Sequence, residues 1–264
     1  MKICDPHIHM YARTTDDYER MAKAGIEMIV EPSFWLGEPR KYPGTFFDYF
    51  DHLTNFEHSR AERYGIRQYA TIAMNPREAN NWDLACAVLE EMPRYLEHER
   101  VVAVGEIGFD RITPAEEEFF VRQVEMARDH NLPILIHSPH VDKGRGIEKS
   151  IEILRQVEFD FRKVLIDHNT EETTALSRAS GGWSGHTIYS VTKLTPERAA
   201  NIALEHGVDR MMINSSADWG PSDPLSVPKT VEILRERGMK ESDIEKLVWN
   251  NPLEFYAQSG KIKE

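Results

Sequence analysis

The chain has 264 residues, of which 41% are hydrophobic and 29% charged, and its formal net charge is −12. This length and composition are typical of one large, soluble α/β domain, and the acidic balance disfavours a protein that coats nucleic acid, because such proteins neutralise phosphates with basic surfaces. No apolar run approaches the ~20 residues that span a bilayer, so no membrane partner is expected. Cys4 and Cys86 are the only cysteines, and no apolar leader is apparent, which predicts a reducing, cytoplasmic location.

Eight short apolar runs alternate with helical patterns along the chain. The predicted strands cover residues 1–4, 25–32, 66–74, 101–108, 132–137, 163–168, 186–191 and 209–216. Most are continuously apolar, as parallel strands are when both of their faces are buried. Eight strand–helix units predict an α/β fold, a single-domain (β/α)8 TIM barrel over residues 1–264. A dinucleotide-binding fold is disfavoured, because no G-x-G-x-x-G follows the first strand.

The helical patterns carry start and stop signals. Thr113 and Pro114 open a pattern that Asn131 closes, and Thr195 opens one that ends at Gly207. Threonine caps free backbone N–H groups, proline fits the first turn, and glycine or asparagine adopts the left-handed conformation that ends a helix. These residues therefore predict the boundaries of two helices.

Residues 34–64, after the second predicted strand, are rich in aromatic side chains. One interpretation is an ordinary β–α unit whose aromatic rings pack onto the barrel. The other is that Phe34 and Trp35 wall the active site, because β–α loops open onto that face of a barrel.

Side chains of metal-binding types lie at or just beyond the C-terminal ends of five of the predicted strands. His7 and His9 follow the first, and residues two apart in an extended segment point the same way. Glu106, His137 and His168 lie at the ends of strands four, five and six, and Asp218 follows strand eight. Each alone is a weak signal, but all six would meet at the barrel end where active sites lie. Burying such groups together without a partner would be unfavourable by several kcal/mol, whereas a divalent cation satisfies them.

Several segments resemble the motifs of TatD-like hydrolases in the amidohydrolase superfamily. These are DPHIH, VGEIGFD, LIHSPH and LIDHN, in order along the chain, and the closing WNNPLEFY resembles the family's last helix. The resemblance implies a TIM barrel that acts as a metal-dependent hydrolase with one or two divalent ions. The ligand sets that it implies are His7, His9 and Asp218 for one ion, His137 and His168 for the second, and Glu106 as the bridge.

Two segments depart from the family's pattern. Residues 215–219 read SSADW where the family usually has E-T-D-[ST]-P, and the loop SPHVDKGRG at 138–146 is unlike that of common members. Both segments lie where substrate would be held, so they bear on the substrate and not on the metal chemistry.

The mixed imidazole and carboxylate ligands suit Zn²⁺, Mn²⁺, Fe²⁺ or Ni²⁺, with two ions expected. Two such ions would lower the pKa of a shared water to roughly 7 and polarise the bond to be cleaved. Asp218 would orient that water as the catalytic general base and pass its proton to the leaving group. Asp5 and Asp167 stand beside ligand histidines, but strand alternation turns them away, so structural roles are expected.

Substrate contacts are expected from the loop after strand five and from the aromatic segment. His140, Lys143 and Arg145 would favour a small molecule that carries phosphate or carboxylate, and Trp35 would contact an apolar portion. The alternative is a solvated loop without contact to substrate.

The leading hypothesis is a hydrolase of a small ester, phosphoester, lactone or amide. A TatD-type deoxyribonuclease or exonuclease is an alternative that the acidic balance disfavours. A mononuclear lyase, such as a decarboxylase, is a second alternative, although a bridging Glu106 has no purpose with one ion. A binding protein without turnover is a third, and it predicts missing ligands, whereas all six are present.

Overall fold

The computed structural model describes residues 1–262, so positions 263 and 264 of the predicted domain lie outside the described range. Within that range, eight parallel strands form one sheet in chain order, each paired with the next. The strands are β1 (Ile3–Asp5), β2 (Ile26–Pro32), β3 (Arg67–Ile72), β4 (Val101–Gly108), β5 (Ile134–His137), β6 (Val164–Ile166), β7 (Trp183–Thr187) and β8 (Met211–Asn214). With helices between the strands, this confirms the predicted single-domain (β/α)8 barrel.

The helices of the described range surround the sheet. They are α1 (Thr15–Lys23), α2 (Pro43–Asp51), α3 (His58–Glu62), α4 (Trp82–Leu96), α5 (Pro114–Asp129), α6 (Lys143–Gln156), α7 (Thr174–Ala179), α8 (Pro196–His206), α9 (Ser226–Glu236), α10 (Glu241–Glu245) and α11 (Asn251–Ala257). π-Helical turns at His52–Glu57 and Lys246–Asn250 join α2 to α3 and α10 to α11. None of the helices within residues 1–262 is long and apolar enough to cross a membrane.

The predicted helix signals are confirmed at both ends. Thr113 forms a capping box with Glu116 at the start of α5, and the Thr195 side chain caps α8. Asn131 and Gly207, with φ angles of 57° and 72°, adopt the positive φ that ends these helices. Local sequence chemistry therefore sets where α5 and α8 begin and end.

The seventh strand differs from its prediction. The apolar run at 186–191 predicted it, whereas β7 covers Trp183–Thr187. Ser184 and His186 are polar and yet fully buried in this strand. A barrel can enclose polar side chains that pair with one another, and here His186 Nε2 lies 3.1 Å from the hydroxyl of Thr174. A search for apolar runs passes over such a strand.

The aromatic segment plays both of the roles considered from the sequence. Phe46 and Phe50 of α2 are fully buried in the hydrophobic core, as expected for a β–α unit that packs onto the barrel. Phe34 and Trp35, which follow β2, instead line a cavity at the C-terminal end of the barrel.

Two sets of contacts support the chain that carries the histidine pair. The backbone N–H groups of Ser216 and His9 donate to the carbonyls of His7 and Ala217, at 2.7 and 2.9 Å, and so join the segments that follow β1 and β8. Tyr256 lies on α11 and is completely buried, and its hydroxyl donates to the carbonyl of Pro6 at 2.9 Å.

Candidate metal centre

The histidine pair after β1 turns two ring nitrogens toward each other. His7 Nδ1 lies 2.6 Å from Asp167 Oδ2, and His9 Nδ1 lies 3.2 Å from the carbonyl oxygen of Pro32. Both oxygens accept, so each Nδ1 carries a proton, and in the neutral rings two Nε2 lone pairs face each other at 3.1 Å. Burial lowers the pKa of His9 well below its usual value. It also favours a neutral His7, but the charges of Glu106 and Asp167 raise the pKa of that ring.

Because two facing lone pairs repel each other, this geometry is favourable only with a positive charge between the two Nε2 atoms. A proton on one of the rings would supply it, and the raised pKa of His7 favours that ring. A divalent ion, which imidazole binds at about 2.0–2.1 Å, would displace that proton and satisfy both lone pairs. The His7–His9 pair therefore fits a metal by its donor atoms as well as by its spacing in the sequence.

Glu106 places one carboxylate oxygen among three imidazole rings. Its Oε1 lies 3.1 Å from His168 Nε2, 3.2 Å from His137 Nδ1 and 3.6 Å from His7 Nε2. Burial would raise the pKa of Glu106, but the charge of His7 and the hydrogen bond with His137 hold it well below its usual value. Ligand atoms of His7, Glu106 and His168, all buried, lie within 4.8 Å of one another. An ionised carboxylate in this position can bridge two cations.

A buried polar network sets the tautomer of His168. The Thr187 hydroxyl donates to Asn214 Oδ1 at 2.9 Å, and Asn214 Nδ2 donates to the Asp167 carboxylate at 2.9 Å. Because the one hydroxyl proton is used in this way, Thr187 Oγ1 accepts from His168 Nδ1, 2.6 Å away. His168 Nε2 then carries the lone pair that faces Glu106. The φ angle of His168 is 62°, a left-handed conformation that is strained for a non-glycine residue.

The structural role expected for Asp167 is wrong, whereas that expected for Asp5 agrees with the contacts. Strand alternation does not govern Asp167, because β6 ends one residue before it, and its carboxylate turns to His7. Gly185 leaves room for this turn, since a Cβ there would lie 2.3 Å from Asp167 Oδ1. Asp5 accepts from the backbone N–H of Ser215 at 3.1 Å and thereby joins β1 to the segment after β8.

Asp167→Asn is expected to weaken metal binding about 10- to 100-fold, because partners that orient ligand histidines contribute that much to affinity. The matched control is Asp5→Asn, which makes the same change in an equally buried carboxylate that accepts from the backbone N–H groups of His7 and Ser215 rather than from an imidazole. Competition for Zn²⁺ or Mn²⁺ against a fluorescent chelator measures both. Wild-type affinity in Asp167→Asn, or an equal loss in Asp5→Asn, contradicts the orienting role.

Asp218 lies on the wall of the cavity rather than in the close cluster of imidazoles. Its Oδ1 accepts from the backbone N–H of Gly220 at 2.7 Å and from the hydroxyl of Tyr189 at 3.0 Å. Burial and the Asp218 carboxylate raise the pKa of Tyr189 to about 12, so this hydroxyl keeps its proton at neutral pH. One oxygen of Asp218 is thus fixed in place by two donors.

The cavity above these residues has a volume of about 150 Å³. The predicted ligands His9, Glu106, His137, His168 and Asp218 line it, and His7 lies directly beneath. Phe34 stacks on His9 with ring centroids 3.7 Å apart, and Trp219 stacks on Phe34 at 5.0 Å. The six predicted ligand residues are therefore brought to one end of the barrel, under an aromatic wall.

The four predicted substrate residues are placed differently. Trp35 and His140 line the cavity, whereas Lys143 and Arg145 are not among the described residues that do so. Arg145 lies in the first turn of α6, where its exposed guanidinium is 3.8 Å from the carboxylate of Asp142. Lys143 instead has a buried ammonium group. Desolvation and the charge of Lys193 lower the pKa of His140 to about 4, so its ring is neutral at pH 7.

The structure adds two functional candidates that the sequence patterns missed. Lys193 lies in the cavity wall, and Tyr189 holds Asp218. Both follow β7, the strand whose predicted bounds were displaced toward the C-terminus. With β7 placed at 183–187, the loop YSVTK becomes a β–α loop at the active end of the barrel, and such loops carry function.

Comparisons with known proteins agree with this geometry. A sequence model of TatD-related DNases matches residues 4–257. An uncharacterized metal-dependent hydrolase of Methanocaldococcus jannaschii is 30% identical over 96% of this chain and 98% of its own length. The uncharacterized metal-dependent hydrolase TatD of Mycobacterium tuberculosis is 24% identical, covering 88% of this chain and 89% of its own. The crystal structure of the TatD-like protein of Archaeoglobus fulgidus is 28% identical, with a TM-score of 0.78 over 96% of this chain and 99% of that one.

Proposed function

The chain belongs to the TatD-related DNase family, and we propose that it is a dinuclear hydrolase of small esters, phosphoesters, lactones or amides. It is a metal-dependent hydrolase, as its relatives are. The observation that carries the proposal of two ions is Glu106, whose Oε1 lies 3.1, 3.2 and 3.6 Å from three imidazole nitrogens. A mononuclear lyase would leave this convergence on one carboxylate oxygen without a purpose.

The proposed ligands divide between two ions. The first set is His7, His9 and Asp218, the second is His137 and His168, and Glu106 belongs to both. Facing lone pairs on His7 and His9 support the first, and the Nε2 lone pair of His168 supports the second. Zinc, manganese, iron and nickel all suit this donor set. When bound, such cations lower the pKa of a water toward neutrality and polarise the scissile bond.

The chain's own residues supply proton transfer and substrate positioning. Asp218 takes a proton from the attacking water and returns it to the leaving group, with Tyr189 and Gly220 fixing its Oδ1. This arrangement leaves Oδ2 to accept and return the proton. Asp167 and Thr187 keep His7 and His168 in the tautomers that present Nε2 to the cavity.

The cavity supports a small-molecule substrate in preference to a polymer. Its volume of about 150 Å³ is below the usual range for drug-sized ligands, which begins near 300 Å³. Phe34 and Trp35 offer apolar contact on one side, and Lys193 offers charge on the other. The cytoplasmic location remains a prediction, with which the free thiols of Cys4 and Cys86 are consistent.

A second candidate, an exonuclease, is favoured by one observation. A groove of about 360 Å³ adjoins the cavity and shares Trp35 and Arg77 with it. The Arg77 guanidinium stacks 4.2 Å from the Trp35 ring, and Arg111 lies farther along the groove. Aromatic and arginine side chains in such an arrangement bind unstacked bases and phosphates of single strands.

A substrate screen of metal-loaded enzyme separates the two candidates. We expect turnover of one or more small lactones, carboxylic esters, phosphomonoesters or phosphodiesters, and little release of nucleotides from short single-stranded DNA. Asp218→Asn, purified in parallel, controls for contaminating hydrolases. Nucleotide release without small-molecule turnover would favour the exonuclease, and no turnover on any class would overturn the hydrolase proposal.

A further inference from the structure

Lys193 places an ammonium group in the wall of the catalytic cavity. It lies in the loop between β7 and α8, whose turn is closed by a 2.8 Å hydrogen bond from its N–H to the carbonyl of Tyr189. Its own carbonyl accepts from Arg198 at 2.7 Å, and its Nζ lies 5.3 Å from the centre of the Tyr189 ring. The backbone on both sides of the lysine is therefore fixed. The ammonium group shares the cavity with Glu106, His137 and His168.

Lys143 contributes a second ammonium group from the first turn of α6. Its Nζ is buried and has no hydrogen-bond partner within the described part of the chain. Burial, followed by the charge of Lys193, lowers its pKa to about 8, so it remains mostly protonated at neutral pH. The charges of both lysines also act on His140, which stands on the cavity rim. Lys143 is not among the described residues that line the cavity, so it acts on the site through its charge.

Neither lysine forms an ion pair within the described part of the chain, although the carboxylates of Glu106, Asp167 and Asp218 act on Lys193 from a greater distance. Among residues 1–262, no carboxylate oxygen lies within ion-pair distance, 4.0 Å, of either Nζ, although 24 ion pairs occur elsewhere. An unpaired buried ammonium group is unfavourable for folding. Two divalent ions at Glu106 would add to this excess of positive charge in the cavity. A negative group that enters with the substrate would correct it.

We infer that Lys193 forms a subsite for an anionic group of the substrate, a carboxylate or a phosphate, separate from the bond that is cleaved, and that the charge of the nearby Lys143 reinforces it. The inference rests on the proposed function and narrows it. The substrate has two parts, a scissile bond over Glu106 and an anionic group held beside Lys193. His140 lines the same cavity as Lys193, whereas the exposed Arg145 pairs with Asp142 on α6.

Equilibrium binding tests the subsite independently of turnover. The metal-loaded enzyme is titrated calorimetrically with succinate, glutarate and adipate, and with butyrate as the matched monoanion. One carboxylate of any of these can occupy the metal centre, so the ratio of affinities between the best diacid and butyrate reports a second anionic contact. We expect at least a tenfold ratio in wild type, since two charge-assisted contacts are made in a desolvated site. In Lys193→Met the ratio should fall toward one.

Control variants separate charge from folding. Lys193→Arg keeps the charge and should keep most of the ratio, and Lys229→Met removes an exposed lysine on α9 that pairs with Asp223 and should change nothing. Lys143→Met should lower the ratio and raise the ligand-free melting temperature, because it removes an unpaired buried charge. A further titration replaces glutarate with 4-phosphonobutyrate. The subsite prefers the anion whose affinity, relative to butyrate, is higher in wild type and falls more in Lys193→Met.

Two results would overturn the subsite. One is equal binding of diacids and butyrate by wild type, and the other is an unchanged ratio in both Lys193→Met and Lys143→Met. If the enzyme hydrolyses small substrates but shows either result, the subsite fails while the proposed function stands. If the ratio depends on both lysines but no hydrolysis occurs, the proposed function fails instead.

Discussion

Glu106→Gln is expected to lower bound metal from two ions per chain to at most one and to reduce kcat by roughly 10³-fold. The amide keeps the size of the side chain but removes the negative charge that three imidazoles surround at 3.1, 3.2 and 3.6 Å. A catalytic metal ion contributes several kcal/mol to transition-state stabilisation, and each ~1.4 kcal/mol corresponds to a tenfold change in rate. Elemental analysis after dialysis gives the stoichiometry, and steady-state kinetics on the substrate found by screening gives kcat.

Asp110→Asn is the matched control for this experiment. Asp110 lines the same cavity, and its carboxylate lies 3.7 Å from the exposed guanidinium of Arg111, so the substitution changes the same chemical group away from the imidazoles. It should leave metal content unchanged. A single tightly held ion in wild type that Glu106→Gln retains would contradict the dinuclear proposal and favour the mononuclear lyase.

The barrel, and the strand-end positions of the candidate metal ligands, could be predicted from sequence because their signals are local. β4 was predicted at its observed bounds, 101–108, since a strand buried on both faces is continuously apolar. His137 and Asp218 were placed at strand ends by counting along the chain. The fold then brings strand ends together, since all parallel strands of a barrel open to the same end.

The supporting contacts could not be predicted, because they join residues far apart in the chain. The Asp167–His7 hydrogen bond depends on the end of β6 and on the lack of a side chain at Gly185. Alternation within a strand gives no information once the strand has ended. Lys193 was missed for a related reason, since the apolar residues 188–191 were assigned to β7 and its loop was not recognised as lining the site.

The same contacts explain why the site is built on buried polar residues. Asp167, Asn214 and Thr187 are almost fully excluded from solvent. Each of them hydrogen-bonds to another residue of this network or to one of the candidate ligand histidines. Such a network is stable only when its members are paired. It therefore specifies ring orientation more firmly than exposed partners would, and a metal ion would complete the pairing at His7 and His168.

Asp218→Asn is expected to leave the fold and at least one bound ion in place while lowering kcat by about 10²- to 10⁴-fold, the usual contribution of a general base. Asparagine keeps an oxygen that can accept from Gly220 and Tyr189, at the positions where Oδ1 now accepts at 2.7 and 3.0 Å. The side chain therefore stays in place, but an amide does not take a proton from water. Circular dichroism melting, metal analysis and kcat are the three measurements.

Asp223→Asn tests whether any loss belongs to Asp218 itself. Asp223 lies in the same loop after β8, where its exposed carboxylate pairs with Lys229, and its substitution should leave kcat at the wild-type value. Tyr189→Phe removes one of the two donors to Asp218 Oδ1 and should lower kcat by roughly tenfold, the effect of about one hydrogen bond. Near wild-type kcat in Asp218→Asn would refute the proposed base. In that case the proton of the attacking water must be accepted elsewhere in the cavity, and Glu106 would be the carboxylate to test next.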